Sequence, residues 1–136
     1  MTAGLAIEYL ALLSDEDIVK ARQLVRTAAQ ESGLSLVDRT KLVTAASELA
    51  RNTVVHGGGG RVRVECLNEG GRRGVRLTFE DQGPGIPDIE LALKDGYSTR
   101  GGLGLGLSGA RRLSNDFSIQ SQVGKGTTVS ITRWKP

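Results

Sequence analysis

Two alternating stretches, RVRVECLNE at 61–69 and GVRLTFED at 74–81, meet across the turn-like segment EGGRRG. Successive side chains of an extended strand point to opposite faces, so Val62, Val64 and Cys66 share one side, as do Val75, Leu77 and Phe79. The pair reads as an antiparallel hairpin with one apolar face. Such a face must be covered, and the segments that flank it have a helical period.

The segment opened by SDED has Ser14 as N-cap, three acidic residues suited to the positive helix end, and a stripe of Ile18, Ala21, Leu24, Val25 and Ala28 that closes at Gly33. A second helix is expected from about Leu36 or Asp38, with Leu42, Ala46, Leu49, Ala50 and Thr53 inward and Glu48 and Asn52 on the border of that stripe, beside Ala45. GLAIEYLALLS can precede them as a strand, with Ile7, Tyr9 and Ala11 on one face. After the breaker QGPGIP come two short helices, DIELALKDG and LGLSGARRLSN, then a second hairpin, DFSIQSQ–VGKG–TTVSITRW. This order predicts an α/β (α+β) two-layer sandwich, a mixed sheet with helices on one face, forming a single domain over 1–136.

Composition narrows the function. One cysteine, Cys66, and one histidine, His56, exclude a disulfide framework or a metal finger, so any divalent ion must be held mainly by oxygen. No apolar run is long enough to span a membrane and no signal segment opens the chain, so a soluble cytoplasmic protein with no membrane partner is expected. The net charge is only +3, and the two Tyr, two Phe and one Trp are not interleaved with basic residues, which argues against nucleic acid. Glycine stands out: 19 residues, clustered where backbone must approach something closely.

Four motifs carry chemistry. In SELARNTVVHGGGG, Glu48, Asn52 and His56 are four residues apart and stack along one helix. A carboxamide oxygen suits magnesium, which keeps waters and shares itself with phosphates, and a carboxylate one turn away can accept a proton. The plainer alternative is a solvated face with a glycine end. The strand-end run Glu80-Asp81-Gln82-Gly83-Pro84-Gly85-Ile86-Pro87 offers a carboxylate for an exocyclic amine and glycines that leave room for a flat ring; a strand-ending turn has the same composition. Arg100, Gly101, Gly102, Leu103, Gly104, Leu105 and Gly106 lead into a helix, with Arg100 as a fork for phosphate. The Gly104-x-Gly106-x-x-Gly109 spacing fails as a dinucleotide fingerprint, because no strand precedes it and no acid lies near Thr128. Gly124-Lys125-Gly126-Thr127-Thr128 is a hairpin turn whose threonines can reach a neighbouring ring; Ile119 and Gly126 exclude a Walker A loop.

In this order and context the four motifs resemble the Bergerat ATP-binding (GHKL) fold of histidine kinases, gyrase and MutL, from about residue 36 to the end. The small size, ELARNTVVHGGGG and DQGPGIPDIELALKDGYSTRGGLGLGLSGARRL resemble the anti-sigma-factor serine kinases, and among them the stressosome switch kinases. The resemblance implies Asn52 as Mg²⁺ ligand, Asp81 on the adenine amine with Gly83, Gly85 and Ile86 around the ring, and Thr127 or Thr128 supporting adenine. It further implies a phosphate lid over Gly101–Gly106 and Glu48 as catalytic base. The stretch between Gly85 and Gly106 is short for such a lid. The activity implied is phosphoryl transfer from ATP to a serine or threonine of STAS-domain stressosome proteins, followed by activation of a PP2C-type phosphatase. An anti-sigma factor with kinase activity and a nucleotide-gated binding module are the alternatives.

Overall fold

The computed structural model describes residues 6–94 and 106–136. Five strands form one sheet: β1 (Ala6–Leu12), β2 (Gly60–Glu69), β3 (Arg72–Asp81), β4 (Asp116–Gln122) and β5 (Gly126–Trp134). Helices α1 (Asp15–Glu31) and α2 (Leu36–Val55) lie between β1 and β2, and the short α3 (Ile89–Ala92) and α4 (Gly106–Arg112) between β3 and β4. Strand order is β1-β2-β3-β5-β4, and every neighbouring pair is antiparallel.

The expected mixed sheet is therefore corrected to an antiparallel one. The returning β4–β5 hairpin inserts its second strand, not its first, beside β3, so β5 runs against both neighbours. At the other edge, α1 and α2 form a helical hairpin that brings the chain back beside β1 in the opposite direction.

The alternation seen in the sequence sorts the two faces. Val62, Val64, Val75, Leu77, Phe79, Val129 and Ile131 are buried against α1 and α2, joined by Leu12 from β1. Ile7 and Tyr9 fall on the opposite face and remain exposed. That face is polar: Arg61 meets Glu80 at 3.0 Å, Arg63 meets Glu65 at 3.1 Å, and the Thr78 and Ser130 hydroxyls lie 3.3 Å apart.

Helix α1 begins after Ser14, whose side chain makes no cap bond; instead the Leu13 N–H donates to Asp17 Oδ2 at 2.8 Å. Gly33, at φ +79°, ends the turn after it in a conformation that costs other residues about 1–2 kcal/mol. Ser35 caps α2 by accepting from the Asp38 N–H at 3.1 Å. The second helix is more deeply embedded than its stripe predicts, because α4 packs on it beside the sheet: Ala45, expected at the border, is fully buried. Its first turn is fastened to the sheet by Asp38 Oδ1, which accepts from Arg133 at 2.8 Å, and Arg133 also donates to the Leu113 carbonyl at 3.0 Å beyond the end of α4. The Arg133 hydrogen bond holds the Asp38 carboxyl below the usual aspartate range, against the opposing effect of burial.

Candidate functional site

Between α2, the end of β3, the 84–88 loop, α4 and β5 lies a cleft of about 840 Å³. Its wall along α2 carries Glu48, Arg51, Asn52 and His56; its floor is apolar, with Leu49, Phe79, Leu107 and Val129. A helix rises about 1.5 Å per residue. Gly57, just past the helix end, touches Asp81. Asn52 therefore stands about 7 Å and Glu48 about 13 Å up the helix axis from the Asp81 end. The cleft thus has an apolar floor, Asp81 at one end, Glu48 at the other, and Asn52 between them on the helix wall.

Asp81 ends β3 on the same face as Phe79 and pairs with Thr127 of β5. Its Oδ1 accepts from the Gly83 N–H at 2.9 Å, while Oδ2 accepts no hydrogen bond among the described residues. Glycines build the socket around it. A Cβ on Gly57 would stand 2.5 Å from the Asp81 Cγ, and one on Gly83 would stand 2.7 Å from the Gly57 Cα. A Cβ on Gly126 would strike the Asp81 carbonyl, and one on Gly85 the Gln122 carbonyl. The glycine run after α2 is more than an exit loop: Gly57 lets the helix end close over the carboxylate.

The other side of this end is a hydroxyl pair. Ser121 Oγ lies 2.8 Å from Thr127 Oγ1 and accepts from the Ile86 N–H at 2.8 Å. The Gly124 N–H donates to the Pro84 carbonyl at 2.8 Å, so the hairpin turn and the 84–86 loop are tied together.

Glu48, Asn52, Asp81, Gly85, Ile86, Gly106 and Thr127 are all brought to the cleft wall. Two expected residues are not. Thr128 falls on the polar face of the sheet, because strand alternation gives the cleft to Thr127 and Val129. Gly83 sits behind the wall, packed on Gly57, where it holds Asp81 through its N–H instead of lining the ring space. Arg100, Gly101, Gly102, Leu103, Gly104 and Leu105 lie outside the described residues. Gly57 and Ser121 escaped the sequence reading. The signal for Ser121 was present: the alternation Phe117, Ile119, Ser121 puts a hydroxyl in an otherwise apolar series.

The described residues hold no cluster of three or more His, Cys, Asp or Glu that would cage a metal. A carboxamide and a carboxylate one turn apart fit an ion held mainly by phosphate and water. An Asp81 Oδ2 that accepts no hydrogen bond among the described residues, beside the apolar side chains of Phe79, Ile86 and Val129, fits a flat ring bearing an amine.

Residues 37–136 match the family model of histidine kinase-, DNA gyrase B- and HSP90-like ATPases. The chain belongs to this family. It is 46% identical over 123 residues to the serine/threonine-protein kinase RsbT of Bacillus subtilis, covering 90% of this chain and 92% of that one. It is 31% identical to an anti-sigma F factor of Bacillus licheniformis, covering 93% and 89% respectively. A solved Mycobacterium tuberculosis structure of RsbU and RsbW domains shares the fold, with a TM-score of 0.65 at 23% identity over 97% of this chain and 33% of that one. The chain is thus a GHKL-type kinase in the anti-sigma-factor branch, similar to RsbT. Among the described residues no helix is long and apolar enough to cross a membrane.

Proposed function

We propose that this chain, acting as one cytoplasmic ATPase unit, transfers the γ-phosphoryl group of MgATP to a serine or threonine of a STAS-domain stressosome protein. The observation that carries this reading is the Asp81 Oδ2, which accepts no hydrogen bond among the described residues, in one cleft with Asn52 and Glu48 along the same helix. Asp81 takes the exocyclic amine of adenine, Gly85 and Ile86 flank the ring, and Thr127 faces its edge. Asn52 holds Mg²⁺, which when bound neutralises phosphate charge. Glu48 accepts the proton of the attacking hydroxyl. Gly106 faces the cleft beside the phosphates, and the resemblance implies a phosphate-binding role for Arg100 and the glycine-rich segment. In such a transfer, positioning and charge neutralisation carry most of the rate.

Release from the substrate then frees the kinase to bind and activate a PP2C-type phosphatase, as the resemblance to the stressosome switch kinases implies. The decisive experiment incubates the protein with labelled ATP, Mg²⁺ and a panel of STAS-domain proteins. Label on a serine or threonine of one of them is expected; none on any, with nucleotide bound, would refute the kinase reading.

The 31% identity to an anti-sigma F factor favours a second reading, in which the same site phosphorylates an antagonist while another surface holds a sigma factor. Capture of a sigma factor in place of the phosphatase would select it.

A further inference from the structure

Resting on the nucleotide reading above, we infer that Ser121 is the positioning residue of the purine end, orienting the Thr127 hydroxyl. Ser121 Oγ has three neighbours: the Ile86 N–H at 2.8 Å, Thr127 Oγ1 at 2.8 Å and the Gly126 carbonyl at 3.2 Å. A hydroxyl has one proton to give and two lone pairs to receive with. The Ile86 N–H occupies one lone pair, so the proton of Ser121 goes either to Gly126 or to Thr127.

These two arrangements present different faces to the cleft. When Ser121 donates to Gly126, it receives the Thr127 proton, and Thr127 shows only lone pairs. When Ser121 donates to Thr127, the Thr127 proton is released toward the cleft. The 2.8 Å bond between Ser121 and Thr127 is made in both arrangements, and what is exchanged is the bond to Gly126, which at 3.2 Å is longer than the preferred O–H···O length. An acceptor in the cleft at ordinary hydrogen-bond distance replaces that long bond with a better one and turns the donation toward Thr127.

Adenine offers one. Beside the amine that Asp81 would take, its ring nitrogen carries a lone pair; hypoxanthine has a carbonyl in place of the amine and an N–H at that nitrogen. Asp81 and Thr127 sit opposite each other in the β3–β5 register, so an acceptor and a donor stand side by side, matched to adenine. Ser121 supplies the second half of that match. Its place in the Phe117, Ile119, Ser121 series fits this role: a wall residue there would serve packing better as an apolar side chain.

Calorimetry of ATP and ITP binding on the full chain tests the assignment, using Ser121→Ala, Ser121→Thr, Thr127→Val and the Ser121→Ala/Thr127→Val double variant. Losing one neutral hydrogen bond predicts about three- to tenfold weaker ATP binding in Ser121→Ala, with ITP little changed. Ser121→Thr keeps the hydroxyl and should return ATP affinity to within about twofold of the parent, while Ser121→Ala in the Thr127→Val background should add less than about twofold. Parent-like ATP affinity and base preference in a folded Ser121→Ala protein would overturn the assignment. So would an equal loss with or without the Thr127 hydroxyl, since Ser121 would then act through general packing. If the parent itself takes up no ATP at millimolar concentration, the nucleotide reading falls first and this one with it.

Discussion

Replacing Gly57 with alanine tests the socket directly. Its φ lies outside the left-handed region, so alanine meets no backbone strain there, and the effect is steric. The new Cβ would stand 2.5 Å from the Asp81 Cγ and 2.6 Å from Oδ2. Carbon atoms settle at about 3.5–4.0 Å, so the carboxylate must retreat by about 1 Å or the helix end must lift. A hydrogen bond spans only about 2.7–3.2 Å; a displacement of that size breaks the bond Asp81 would make to an exocyclic amine. Hydrogen bonds to charged groups contribute about 1.5–3 kcal/mol, which corresponds to about 10- to 150-fold in Kd. Titration calorimetry with ATP, alongside a thermal melt to confirm folding, reads this out. Gly58→Ala is the comparison: at φ +74° with no atom within 4 Å of its Cβ, it should lower stability by about 1–2 kcal/mol and leave affinity alone. If Gly57 acts through Asp81, then Gly57→Ala in an Asp81→Asn background adds little. A folded Gly57→Ala protein with parent affinity would refute the socket argument.

Glu48→Gln should keep ATP affinity and lose phosphoryl transfer by about 10²- to 10⁴-fold; full single-turnover activity would remove Glu48 from the base role. Asp81→Asn should weaken ATP binding without unfolding the protein, and an unchanged calorimetric affinity would count against the adenine assignment. Asp38→Asn breaks the largely buried pair with Arg133 and should cost about 3 kcal/mol in urea unfolding at neutral pH. The folded carboxyl of Asp38 titrates lower than the unfolded one, so the pair's contribution is complete above about pH 4 and fades as pH falls through the folded value. The variant should therefore lack part of the acid-side loss of stability seen in the parent.

The elements were legible where local pattern decides them. Alternation identified β2, β3 and β5, and the apolar stripes identified α1 and α2, because one buried face imposes its period on the sequence. Strand order was not legible: nothing local to the β4–β5 hairpin says which of its strands docks on β3. Residue type singled out Glu48, Asn52 and Asp81, which the fold brings to one cleft. Thr128 and Gly83 lie off its wall, because their places depend on cross-strand register and on a contact between loops 26 residues apart at Gly57 and Gly83. Gly57 was hidden inside a run in which Gly58 and Gly59 have positive φ as ordinary turn glycines and Gly60 already belongs to β2.

Inserting β5 between β3 and β4 has a consequence for assembly of the catalytic pocket. Asp81 and Thr127 are partners across 46 positions of sequence, so the two sides of the cleft meet only when the chain between them is closed into a loop. Without β5 beside β3 the cleft would lack both Thr127 and Val129. Nucleotide capture is therefore a report on the completed sheet, and a ligand that binds only the folded chain draws folding toward it by mass action.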